Sequence, residues 1–115
     1  MKKMVLKDAA SYGPWRTKLT AILDAEDCLE IVNGTELEPA EIAEVLNPDN
    51  TAPNSVEVDK RQAQIKDWRK RSEKAASLIT QTMDDNIVMS LDVHGNNPTL
   101  IWAQLGADYN TLSPA

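Results

Sequence analysis

Between Ile65 and Met83 the residues Ile65, Trp68, Ser72, Ala75, Ile79 and Met83 recur at every third or fourth position, while Lys66, Lys70 and Lys74 fall on the opposite side of the same repeat. A backbone of 3.6 residues per turn converts that spacing into one apolar and one charged face; a strand, with period two, scatters both sets. Asn54 with Glu57 three residues later matches a capping box, so the spacing predicts a helix from about Ser55 to Thr82. Asp67 with Arg71, and Arg69 with Glu73, stand four apart and fit the rule for ion pairs along one helix. A long helix with one dry side has to bury that side against something else.

The rest of the chain offers further helices as partners. Ser11 reads as a cap, Pro14 lies in a first turn where its missing N–H costs little, and Trp15, Leu19, Ile22 and Leu23 follow on one face. Asp24 to Asp27 is polar, Cys28 to Val32 is apolar and short, and Asn33-Gly34 tolerates the positive φ of a helix end. Pro39 to Leu46 reads as a short helix with Pro near its start, acids in its first turn and Asn47-Pro48 as its stop. Residues 47–54, with Pro48 and Pro53, read as an exposed loop. Asp84-Asp85 opens a helix through Asn86 to Leu91, and Val93 to Asn96 makes a turn. Asn97 then caps a last helix with Pro98 at its first position and Ile101, Trp102, Leu105 and Tyr109 on one side. Gly106 inside that helix implies a close neighbour. The one alternating stretch, Val56-Glu57-Val58, is too short for a strand. The expected fold is all-α, a compact bundle of five or six unequal helices, with residues 1–10 as an N-terminal extension, 11–110 as one lobe and 111–115 as a tail or the start of a linker.

At 115 residues the chain matches one small domain, and its single Cys leaves neither a disulfide framework nor a Cys-rich zinc site to hold it. The longest apolar runs, such as Ile87 to Met89, are far too short to span a bilayer, and Met4-Val5-Leu6 is too short for a signal peptide, so the chain reads as cytosolic or nuclear. Its net charge of −6 is distributed in blocks. Met1 to Leu23 holds five Lys or Arg against Asp8; Asp24 to Asp59 holds eleven acids and no base; Lys60 to Lys74 holds seven bases against Asp67 and Glu73; Ala75 to Ala115 holds four acids alone. Overall acidity argues against general nucleic-acid binding, which needs a basic face to displace counterions, although Lys60 to Lys74 is a local exception.

Catalytic chemistry is hard to assemble from this set. The one histidine, His94, lies in an expected turn, and Cys28 reads as a small buried hydrophobe whose neighbours Asp27 and Glu30 disfavour a thiolate. Asp84 and Asp85 are adjacent, so on a helix their side chains diverge by about 100°, and a helix N-terminus accounts for both. Spacings for metal ligands and glycine-rich phosphate loops are absent, so no cofactor, metal or small-molecule substrate is expected. Trp15, Trp68 and Trp102 fall on apolar faces and read as core anchors.

Four spacings taken together carry a family pattern. Tyr12-x2-Trp15 with Leu19 and Leu23, then Leu29 to Gly34, then Trp68 with Ala75 and Ile79, then Trp102-x2-Leu105-x3-Tyr109, resemble the Gag protein of copia-type LTR retrotransposons across about Ser11 to Tyr109. The resemblance implies a lobe like the N-terminal domain of retroviral capsid, with no catalysis, whose copies build the shell of a cytoplasmic virus-like particle around the element's RNA. It implies other Gag copies as partners, RNA contact mainly through regions outside these residues, and no membrane. The zinc knuckle, protease and second capsid lobe of such proteins are not among these residues, which suggests an excised domain or a shortened relative. The alternative is a domesticated Gag-derived binding module that recognises a partner protein or interferes with assembly. On either reading the opposite-sign blocks are the candidate assembly surface: Glu36, Glu38, Glu41 and Glu44 against Lys66, Lys70 and Lys74.

Overall fold

A computed structural model of the chain describes residues 5–47 and 53–109; Met1 to Met4, most of the expected loop 47–54 and the expected tail 111–115 lie outside the described residues. The fold is all-α. Among the described residues five helices follow in order: α1 (Ala9–Ala25), α2 (Leu29–Asn33), α3 (Ser55–Gln81), α4 (Asp85–Ser90) and α5 (Pro98–Tyr109), with a 3-10 turn (Asp92–His94) between the last two. No described helix is long and apolar enough to cross a membrane. The described residues group into two units, 5–36 with 71–109 and 37–47 with 53–70, and α3 supplies residues to both.

The first unit holds the core. α1 begins at Ala9, earlier than a Ser11 cap implies, because Asp8 is the cap: its carboxylate accepts the Ser11 N–H at 3.0 Å, and the Ser11 hydroxyl oxygen accepts the Asp8 N–H at 3.1 Å. That reciprocal box satisfies two backbone donors at once. Pro14 consequently sits inside the helix. The break before α2 depends on Asp27, whose φ of 62° is left-handed, after which the Cys28 N–H reaches back to the Leu23 carbonyl at 2.8 Å. Gly34, at φ 81°, ends α2 as expected, its N–H on the Ile31 carbonyl and the Thr35 N–H on the Glu30 carbonyl. α2 packs against both α1 and α5, and the Thr99 hydroxyl of α5 donates to the Ile31 carbonyl at 2.7 Å. Asn97 caps α5 by accepting the Leu100 N–H at 3.1 Å, with Pro98 as the first helical residue.

Leu6, within the expected extension 1–10, contributes to this core. Leu6 is fully buried in the cluster that includes Trp15, Leu19, Ile79, Met83 and Leu105. Its backbone forms an isolated parallel bridge with Met83: the Leu6 N–H bonds the Thr82 carbonyl at 2.8 Å and the Asp84 N–H bonds the Leu6 carbonyl at 2.9 Å. Complete burial of a leucine side chain contributes about 1.5–3 kcal/mol, which is a strong reason for this segment to be drawn in.

The second unit corrects another expectation. Residues 39–46 are not helical; they run as a strap antiparallel to the first part of α3. Four hooks fix its register. Glu38 pairs with Arg69. Arg61 donates to the Ala40 carbonyl at 2.9 Å. The Asn54 amide donates to the Ala43 carbonyl and accepts the Val45 N–H, both at 2.9 Å, so this side chain is spent on the strap and not on the expected box with Glu57. Between the outer hooks α3 rises about 22 Å. Extended chain from Glu38 to Val45 covers about 23 Å, whereas a helix over the same residues rises only about 10 Å and falls short. Reaching all four hooks therefore overrides local helix propensity.

Replacing Leu6 by Ala is expected to lower unfolding free energy by about 2–5 kcal/mol, while Leu37→Ala, at a side chain 75% exposed, changes it by less than about 0.5 kcal/mol. Denaturant titration of the two variants checks the contrast, and equal small effects contradict the placement of Leu6.

Candidate assembly surface

Most residues of the four spacings converge in the first unit. Tyr12, Trp15, Leu19, Leu23, Ala75, Ile79, Trp102 and Leu105 belong to one buried cluster, and Leu29 and Tyr109 pack against it half-buried. Four rings form a continuous path through it: Tyr109 stacks on Tyr12 at 5.8 Å between centroids, Tyr12 lies 6.1 Å from Trp15, and Trp15 lies 5.6 Å from Trp102. Arg16 extends the path at the surface, its guanidinium 5.8 Å from the Trp102 ring centre. The Trp15 indole N–H, which burial would otherwise strand, donates to the Thr82 hydroxyl at 2.9 Å. Gly106 faces Tyr12: a Cβ placed there would meet the phenol oxygen at 3.8 Å, an ordinary contact. Trp68 lies in the other unit and is half-buried.

The charged residues are used differently from one another. Glu36 is held by Arg71, which donates from both terminal nitrogens to its two carboxylate oxygens at 2.9 and 2.5 Å. The same guanidinium donates to the Asp27 carbonyl at 3.0 Å, tying the α1–α2 connection and the end of α2 to α3 within one unit. Glu38 is paired with Arg69, whose own pKa is raised by that hydrogen bond, and Glu41 adds to the effect from nearby. Lys74 pairs with Glu26, and the hydrogen bond raises its pKa. Thus Glu36, Glu38 and Lys74 are engaged within the chain. Lys66, Lys70, Glu41 and Glu44 are exposed and form no ion pair among the described residues.

Helical spacing assigns Arg69 and Arg71 to ion pairs along α3, not to the acidic block. Arg69 and Arg71 sit in the same basic block as the three lysines, but their planar, multidentate heads suit fixed carboxylate partners better than a lysine ammonium does. Arg69 turns to Glu38 and not to the expected Glu73. The signal available was the residue type itself within the block.

Cys28, Asp84 and Asp85 fall where expected, whereas His94, expected in an exposed loop, is half-buried. Cys28 is fully buried, and burial pushes its thiol pKa up more than Lys74 and Arg71 pull it down. Its sulfur lies 3.4 Å from the Glu26 and Arg71 carbonyls, within reach as a weak donor. His94 is half-buried at the end of the 3-10 turn, with its backbone N–H on the Leu91 carbonyl at 2.9 Å. Asp84 is the N-cap residue of α4 and Asp85 lies in its first turn. Among the described residues no group of three or more His, Cys, Asp or Glu is placed to hold a metal ion. Comparisons with protein-family models, curated proteins and solved structures return no match for this chain.

Arg71→Lys retains the charge but loses the two-pronged grip on Glu36, and is expected to cost about 1–2 kcal/mol of stability by denaturant titration. For Cys28 the sign follows from burial. The unfolded thiol ionises near its ordinary value while the folded one keeps its proton to higher pH, so its contribution is present below about pH 8.5 and is lost above it. Stability is expected to fall more steeply with pH above that point in the native chain than in Cys28→Ala; parallel pH profiles contradict it.

Proposed function

We propose that this chain is a non-catalytic assembly module, the N-terminal capsid lobe of a copia-type Gag, whose copies contribute to a cytoplasmic particle shell around the element's RNA. The observation that carries the reading is the spatial dependence among the pattern residues. Tyr12, Trp15, Trp102 and Tyr109, which define the first and last motifs in sequence, form one ring path in space. Residues at such separations form a family pattern when each is packed against the others, since a change at one alters the fit of the next. The burial of Cys28 and the position of His94 in a turn favour a structural role over a nucleophilic one.

A capsid subunit makes many weak contacts that become strong through number. The isolated chain is therefore expected to associate reversibly, with a dissociation constant in the range of about 0.1–1 mM, measured by sedimentation equilibrium over rising concentration. A chain that remains monomeric up to about millimolar concentration is not a shell-forming unit, and the proposal fails.

A further inference from the structure

The first part of α3 carries a second pattern on the side facing away from Ile65. Val56, Asp59, Ala63, Lys66 and Lys70 follow at alternating steps of three and four, the spacing of a seam between two paired helices. At about 100° per residue these five lie within about 80° of one another, and buried Ile65 lies about 180° from Val56. All five are exposed, and Val56 is 72% exposed. The five side chains stay exposed beside the strap, since Ile42 lies against Glu57, Lys60, Arg61 and Gln64, a flank centred about 90° round the helix from Val56.

The order of residues along the seam selects its occupant. Acid lies toward the N-terminal end at Asp59, base toward the C-terminal end at Lys66 and Lys70, and a small residue, Ala63, stands between. Against a second copy running parallel, Asp59 meets Asp59 and Lys66 meets Lys66, which is repulsive. Against an antiparallel copy related by a two-fold axis at Ala63, Asp59 meets Lys66 twice and Val56 meets Lys70 twice. The lysine's alkyl stem can then cover the valine while its ammonium stays in water. Alanine at the crossing allows the helix axes to approach to about 8 Å. An isologous contact needs one patch complementary to itself, and this patch has that property.

We infer that the 56–70 face of α3 is an antiparallel, two-fold contact between copies of this chain. The inference rests on the assembly reading and gives it a specific surface, with Lys66 and Lys70 engaged and the fixed pairs at Glu36 and Glu38 outside the seam.

Three variants of the full chain test it. Ala63→Cys places two thiols at the axis and is expected to form a cross-linked dimer rapidly under mild oxidation, whereas Gln62→Cys, one residue away on another flank, is not. Asp59→Lys is expected to weaken self-association about tenfold by sedimentation. Adding Lys66→Asp to it exchanges both partners and is expected to restore association to within about twofold of the native chain. Circular dichroism confirms that each exposed substitution leaves the helices intact. If the chain associates but Ala63→Cys cross-links no faster than Gln62→Cys, or the double exchange fails to rescue, the seam is wrong while assembly stands. If the chain stays monomeric, both fail.

Discussion

The end of α3 is the point on which the first unit depends. A buried indole must find an acceptor for its N–H, and for Trp15 the acceptor is the Thr82 hydroxyl. The carbonyl of the same residue takes the Leu6 N–H. One threonine at a helix terminus, where carbonyls lack helical partners, therefore fastens α1 through a side chain and the preceding segment through the backbone. Ile79 and Met83, on either side of it, supply the apolar contacts that keep water from competing. The ring path to Trp102 and Tyr109 starts from a tryptophan already held at this point.

The arginines do related work at the surface. Arg71, with a side chain 20% exposed, reaches a carboxylate and a backbone carbonyl together, so the connection between α1 and α2 is held by a polar group where apolar packing runs out. Arg69 and Lys74 form more exposed pairs, which solvent screens and which contribute less to stability. After this pairing Glu41 and Glu44 remain exposed on the strap, and Asp59, Lys66 and Lys70 form an ordered series along one side of α3.

The elements legible in the amino-acid order were those whose signals are local. The stripe from Ile65 to Met83 marked α3, Asn97-Pro98 marked the start of α5, and Asn33-Gly34 marked the end of α2. Leu6 gave no periodic signal, because a lone apolar residue acquires meaning only when a bridge to Met83 brings it into the core. Pro39 to Leu46 has the composition of a helix, and the distance between its anchors on α3 decides against one. For the candidate surface, the blocks of charge were visible, whereas the pairing of Glu36 with an arginine and not a lysine depends on geometry that no spacing in the chain encodes. A pattern made of spaced core residues is also permissive, since many apolar residues satisfy each position, so packing can persist where sequence likeness does not.

The Trp15–Thr82 bond joins residues 67 positions apart, and the ring path continues to Tyr109. On a ribosome adding roughly 5–20 residues per second, α1 is made about 3–13 s before the hydrogen-bond partner of Trp15. Throughout that interval its apolar side has no core to enter. The unit therefore closes only once α5 has delivered Trp102, and until then the apolar side of α1 relies on neighbouring charged residues for solubility.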